Sequence, residues 1–573
     1  MKRLDELYEE LIEYYSRFYA LPRPRLEKKI SELQERGYSR EEAIVELYKE
    51  VFGVEEVKIA EEIKIEKPKV EVTKHSLLNL LSYSYNAYTH SPCLVLSIIF
   101  KDSLNYISSA LIFIISLYLL NEVFKFGGFL NPSKLSTLIQ ENIYLIAMSS
   151  ILGFLIFVLV RAVSSSVYWS IMVSSSAKLF KHERITLRDL IGGLGLLPRV
   201  LKAELIAQLI RFLAFIPVIT LIVHTLANIE NLLKLSIVPF TFISIILSTL
   251  LVLVVCLVIY LVLFILTIFV PHEVIISNKK TLEAILGSFK IARKSIRQVV
   301  VYIILLILTF LCAALISGIF RLIHVSICTL ISFIISMLVI PTLDIALTGV
   351  YLQWIGQRIE LWEYPGRISE FFKRYLKGSL KEVVNFIKSL ENLPFIISAV
   401  ILFMSFYALG LYLGGTYFAP LMRGIVRLRG SCPGGSCEGF FRGALPLFLT
   451  LEIFFNNWKI AMISSLGGLF YVVPPLSTFV SGLFLGLVAS RLKLVEFLVL
   501  IMPHGCLELS AFVLSVAAGI KFSFITLANR SKISEALRET TLIAIGLAMP
   551  LIAAAFIEAF VTPQLAKLLL GWS

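Results

Sequence analysis

Apolar residues recur every three to four positions from Leu4 to about Val51, a period that predicts amphipathic helices. One run covers Leu4–Tyr19, and Pro22 and Pro24 are expected to end it. A second covers Leu26–Arg36, with Gly37 placed for a left-handed C-terminal cap. Ser39 opens a third, and Glu42 three residues on completes a capping box. The period is then lost in a stretch of Glu and Lys interrupted by Pro68, which suits an extended charged linker. Beyond it the pattern changes in kind, to unbroken apolar runs of the roughly 20 residues that cross a bilayer. Six fall at about 103–120, 143–163, 205–226, 241–270, 299–320 and 325–350. Five more fall near 395–415, 457–472, 475–490, 495–520 and 540–562.

These runs predict an all-α polytopic membrane protein of about 11 transmembrane helices in a 6+5 arrangement, behind a small soluble helical segment. The expected domains are a helical module (1–53), a charged linker (54–75), a six-span membrane domain (76–360), a basic amphipathic interfacial helix (361–393) and a five-span membrane domain (394–573). In the interfacial helix, Ile368, Phe371, Phe372, Tyr375, Leu380, Val383, Val384 and Ile387 form one apolar stripe edged by lysines, suited to the inner headgroup layer.

Composition agrees: 57% of residues are hydrophobic and 16% charged. No signal peptide is expected. Residues 1–75 hold 15 Lys/Arg and 18 Asp/Glu, or −3, so the remaining chain carries +16 of the +13 total. That surplus reads as topology and lipid-headgroup contact, and nucleic acid is not an expected partner. With the N-terminus cytoplasmic, inner loops at 161–204, 271–298 and 351–393 hold 7, 6 and 7 Lys/Arg, whereas outer loops at 121–142, 227–235 and 320–324 hold 2, 1 and 1. The positive-inside rule selects this orientation. The loop 416–444 runs against it, with Arg423, Arg427, Arg429 and Arg442 on the outer side.

The main chemical lead is His504 with Glu508, one helical turn apart within an apolar stretch. Ionisable groups at membrane depth turn inward to a partner or a cavity. Pro503 lacks an amide proton, so it should kink or begin the helix there and free carbonyls for polar neighbours. Three readings are open: a structural cluster with the freed backbone or with Asn456 and Asn457, a proton or ion path, and a metal site for which HxxxE supplies two ligands. Gly482 and Gly486 have the GxxxG spacing of close helix approach. Asp344 and Glu558 are further buried-charge candidates, expected near helix ends or locally paired, and His272–Glu273 is expected at the membrane interface. Cys432 and Cys437 enclose Pro-Gly-Gly-Ser in an outward loop, where a disulfide is plausible chemistry. The chain has no P-loop, Rossmann fingerprint, serine elbow or HExxH.

Three segments, FFNNWKIA at 454–461, PPLSTFVSGLFLG at 474–486 and MPHGCLELSAF at 502–512, resemble the stage II sporulation protein M family over about residues 390–562. The last segment, with Pro503, His504, Gly505 and Glu508, is the most specific. Family members commonly carry Asn-Gly where this chain has Ser481–Gly482. The resemblance implies an integral membrane protein that, in sporulating bacteria, helps assemble a peptidoglycan-remodelling complex. Residues 95–350 resemble the membrane domain attached to glycerophosphodiester phosphodiesterases and related uncharacterised proteins, through VPHEVIISNKKTLEAILGSFKIARKSIRQ at 270–298. Only architecture carries over, because no phosphodiesterase domain is present.

The leading expectation is therefore a non-enzymatic membrane scaffold or assembly factor of the cell envelope, with the lipid bilayer and envelope proteins as partners, no cofactor, and an oligomeric state the sequence does not set. The alternative is a transporter or channel whose pathway includes His504, Glu508, Asn456 and Asn457; an intramembrane enzyme comes third. Hydration separates the first two, since a pathway requires a polar, water-accessible cavity where a scaffold can be sealed. The absence of an inverted repeat counts against transport.

Overall fold

The computed structural model describes residues 4–16, 22–36, 38–52, 75–125, 143–181, 187–218, 238–323, 335–357, 368–419 and 446–571, with isolated residues between them. They form two compact units, one within residues 1–74 with 356–358 and one comprising 75–355 and 359–573. The described residues contain helices and no strand.

The first unit holds α1 (Leu4–Ser16), α2 (Pro22–Gln34) and α3 (Arg40–Phe52). Leu7, Leu11, Leu26, Ile30, Ala43 and Ile44 close its core. Pro22 and Pro24 open α2 instead of ending α1, in the first turn where a missing amide proton is harmless. The Ser39–Glu42 capping box forms, with Ser39 N donating to Glu42 Oε2 at 2.7 Å and Glu42 N to Ser39 Oγ at 3.2 Å. Gly37 and the linker 54–74 lie outside the described residues.

The second unit opens with α4 (Leu77–His90), α5 (Val95–Lys125), α6 (Ile143–Leu179), α7 (Leu187–Leu194) and α8 (Leu197–Phe212). It continues through α9 (Val238–Thr267), α10 (Val270–Ile275), α11 (Thr281–Lys294), α12 (Ile296–Ile323) and α13 (Ile340–Trp354). Then come α14 (Ile368–Lys388), α15 (Leu393–Gly415), α16 (Pro446–Leu466), α17 (Val473–Ala489), α18 (Leu494–Leu500) and α19 (Met502–Ala528). The chain finishes with α20 (Ile533–Gly546), α21 (Ala548–Phe556) and α22 (Thr562–Leu570), the last two joined by a π-helical turn at Ile557–Val561.

Eight described helices are long and apolar enough to cross a membrane, against the eleven expected: Val95–Tyr118, Ile156–Leu179, Leu247–Ile275, Ile296–Ile316, Ile335–Trp354, Leu390–Gly415, Met502–Ala528 and Ile533–Leu570. The multi-pass helical class stands, and the difference in count has local causes. The stretch 205–226 is divided between α8 and a 3₁₀ turn at Leu213–Phe215, with 222–226 outside the described residues. Near 457–490, α16 starts eleven residues before the expected run and carries Glu452, Asn456, Asn457 and Lys459, while α17 is apolar but short. A 3₁₀ turn at Gly467–Phe470 and a positive φ of 49° at Tyr471 separate the two.

Helix α14 is present, but its expected stripe is divided. Val383 packs against the core beside Phe386, where a Cβ at Gly546 of α20 would meet it at 2.7 Å, whereas Leu380, Val384 and Ile387 remain exposed. One side of α14 thus packs on α20 and another is exposed.

The two membrane halves share one core: Phe100, Tyr168 and Tyr351 belong to the same apolar cluster as Met462, Leu466, Phe522 and Leu537. Helix α5 joins them, since Lys459 of α16 reaches Asp102 at 3.1 Å and Phe113 meets Phe484 of α17 edge-on.

Candidate functional site: an acidic cavity in the C-terminal domain

Two backbone irregularities and one face of a regular helix build the site. The chain breaks at Ile501 between α18 and α19, and Pro503 occupies the first turn of α19, so the proline begins the helix. His504 and Glu508 then project one turn apart from that end. Glu452 and Asn456 stand on one face of α16 by the same four-residue spacing, with Asn457 beside them. Glu558 comes from the π-turn after α21, a local widening of the helix that recurs at functional sites.

These elements enclose a cavity of about 520 Å³ lined by Glu452, Ile453, Asn456, Asn457, Leu485, Ile501, His504, Gly505, Glu508, Leu509 and Glu558. No lysine or arginine is among the lining residues. His504 is only 8% exposed, and its Nδ1 lies 3.2 Å from Thr562 Oγ1, which fixes the ring. Nε2 is 3.9 Å from Glu558 Oε2, beyond hydrogen-bonding distance. Ligand atoms of His504, Glu508 and Glu558 all lie within 4.8 Å of one another. Asn456 Nδ2 donates to Asn457 Oδ1 at 3.3 Å, so the two amides partner each other. Among the described residues, no hydrogen bond reaches Glu452, Glu508 or Glu558.

The structure thus brings together Asn456, Asn457, His504, Gly505 and Glu508, and adds Glu452, Glu558 and Thr562. The suggested bonds from His504 to Glu508 or to the asparagines are not made; Thr562 takes that place. Glu452 was missed although its spacing from Asn456 marks a shared helix face, and no sequence signal pairs Thr562 with His504 across separate helices. Gly482 and Gly486 are elsewhere, where α17 lies against α15. A Cβ at Gly486 would stand 2.2 Å from Tyr407 O, and one at Gly410 would stand 2.3 Å from Leu483 O, so backbone approaches backbone there. Cys432 and Cys437 lie outside the described residues.

A second polar centre lies in the other membrane half. Asp344 of α13 is buried, and each of its carboxylate oxygens accepts a phenol: Tyr302 Oη donates to Oδ1 at 2.7 Å and Tyr168 Oη to Oδ2. Lys101 Nζ sits 4.8 Å from the centre of the Tyr168 ring. His272 and Glu273, expected at the interface, are instead wholly buried. The imidazole packs among Trp169, Phe269 and Tyr351 with Nε2 3.1 Å from Thr348 Oγ1, while Lys279 Nζ reaches Glu273 at 2.7 Å. The carboxylate fits because residue 287 is glycine; a Cβ there would meet Glu273 Cδ at 2.7 Å.

Among known proteins, the sequence model of one family, Stage II sporulation protein M, matches residues 399–563. That segment contains every residue lining the cavity, and the match agrees with the resemblance carried by residues 454–461, 474–486 and 502–512. No curated protein and no solved structure matches the chain.

Proposed function

We propose that this multi-pass membrane protein, whose last third matches Stage II sporulation protein M, admits a proton or small cation from water into the acidic cavity of that domain. The observation that carries this reading is an open polar space at membrane depth whose carboxylates, Glu508 and Glu558, accept no hydrogen bond among the described residues. A carboxylate without a hydrogen bond is costly away from water, so this pair calls for water, protons or a cation in the cavity. On the eleven-run course that the loop charges favour, with the N-terminus cytoplasmic and 205–226 crossing as well, α16 and α19 both begin on the outer side and the cavity faces outward.

Two measurements test it. In a background with the native cysteines replaced by serine, Asn457→Cys is expected to react with a membrane-impermeant thiol reagent added outside. In liposomes, the wild-type protein is expected to dissipate a proton or monovalent-cation gradient, and the Glu508→Gln/Glu558→Gln pair to abolish that flux. An unreactive Asn457→Cys together with sealed wild-type liposomes would overturn the reading.

The scaffold reading retains one observation of its own: residues 4–52 form a compact unit with a separate core, suited to holding another protein. Cross-linking and mass spectrometry from native membranes test it. A stoichiometric envelope partner that is lost when residues 1–53 are deleted supports it; purification of the protein alone counts against it.

A further inference from the structure

Building on the cavity reading, we propose that His504 Nε2 and the carboxylates of Glu508 and Glu558 form a binding site for a divalent transition-metal cation of the Zn²⁺ or Mn²⁺ class. Sequence spacing supplied two of the donors; the fold supplies the third, from a π-turn fifty residues further along the chain.

Four features point to a metal. The first is convergence, since all three sets of donor atoms lie within 4.8 Å of one another. Ligands bound at about 2.0–2.2 Å stand roughly 3–3.5 Å apart, so small rotations of two glutamate side chains close the shell. The second is the state of His504. Its side chain is 11% exposed, its Nδ1 is occupied by Thr562, and its Nε2 faces Glu558 with no hydrogen bond. Metal-ligating histidines are held in this way, with one ring nitrogen anchored and the other free.

The third feature is uncompensated charge. Glu452, Glu508 and Glu558 line one cavity without a lysine or arginine, and carboxylates clustered at membrane depth require a cation or protons. The fourth is room: about 520 Å³ leaves space for water to complete the coordination, with Glu452, Asn456 and Asn457 as further oxygen donors. Donor chemistry selects the class. Mg²⁺ and Ca²⁺ prefer all-oxygen shells, whereas an imidazole with two carboxylates suits Zn²⁺, Mn²⁺ or Fe²⁺.

The test uses the full-length protein in nanodiscs, stripped with a chelator and titrated with Zn²⁺ alone and Mn²⁺ alone by calorimetry. A Cys506→Ser background removes the exposed thiol beside the site. One equivalent is expected to bind, with an X-ray absorption spectrum showing nitrogen and oxygen neighbours and no sulfur. Glu558→Gln and Glu508→Gln, isosteric changes at side chains without hydrogen bonds, are each expected to weaken binding at least about 100-fold. Thr562→Val, which frees the imidazole, is expected to weaken it about 10-fold. Wild-type affinity no greater than that of Glu558→Gln, or sulfur in the shell, overturns the proposal. The outcomes also separate it from the reading on which it rests. Metal bound without liposome flux leaves the site standing and removes the passage; proton flux without metal binding does the reverse.

Discussion

Asp344 and Glu558 each place a carboxylate inside a candidate membrane span, and the surroundings treat them in opposite ways. Around Asp344 two phenols fill both oxygens, and a lysine lies over one of the rings. Around Glu558 stand an imidazole beyond bonding distance, two further glutamates and open space. The cost of taking a charge out of water is the same problem in both places. In the N-terminal membrane half, tyrosines of α6 and α12 solve it and hold those helices to α13. In the C-terminal half no hydrogen bond among the described residues does so, and the carboxylates line an open cavity. Acidity at membrane depth therefore does not by itself identify a working site; the saturation of its oxygens distinguishes the two.

The comparison is most exposed at its sealed end. Asp344→Ala leaves the Tyr168 and Tyr302 hydroxyls without their acceptor, a loss of about 3–5 kcal/mol, and folded protein on gel filtration should fall steeply. Glu558→Ala, which removes no hydrogen bond, should shift stability by less than about 1 kcal/mol. Equal shifts in thermal midpoint for the two variants would erase the distinction.

Packing without charge gives the intermediate effect. Gly486→Leu forces α17 away from Tyr407 of α15 and should cost about 1–3 kcal/mol, read as a lower unfolding midpoint. An unchanged midpoint would mean that the helix pair is loose and that the cavity wall contributed by Leu485 is not rigid.

A smaller loss than that of Asp344 belongs to a saturated carboxylate outside the spans. Burial opposes ionisation of Asp189, but Lys178 Nζ at 2.6 Å and both the hydroxyl and the amide of Thr186 hold its carboxyl down at about 2. Its folded value lies below the ordinary ~3.9 of an aspartate. The stabilisation is therefore present above that value and is lost as pH falls toward 2. Asp189→Ala should cost about 1 kcal/mol at neutral pH and make stability less dependent on pH between about 4 and 2. An unaltered acid profile would show that Asp189 is already solvated.

How much of this was legible beforehand depended on range. Ser39–Glu42 and His504–Glu508 are local patterns, one completed by its own backbone and the other set by one helical turn, and both were read directly. Pro22 shows the limit of a local rule, because a proline is compatible with ending one helix or opening the next. Apolar length and the described helices differ near α16, where polar residues interrupt the run. Nothing local could reveal that Thr562 anchors His504, that Tyr168 and Tyr302 meet on Asp344, or that Gly410 faces the Gly482–Gly486 pair. Those are decisions of helix packing, made between segments that carry no mark of each other.

The bridge between Asp102 and Lys459 has a consequence for how the molecule is made. Asp102 leaves the ribosome hundreds of residues ahead of Lys459, so until α16 is synthesised the carboxylate has its neighbour Lys101 but not the lysine it reaches in the folded protein. Cutting the chain at 393 would turn this ion pair into a contact between two polypeptides that must find each other; covalent continuity keeps the late-arriving Lys459 tethered to Asp102.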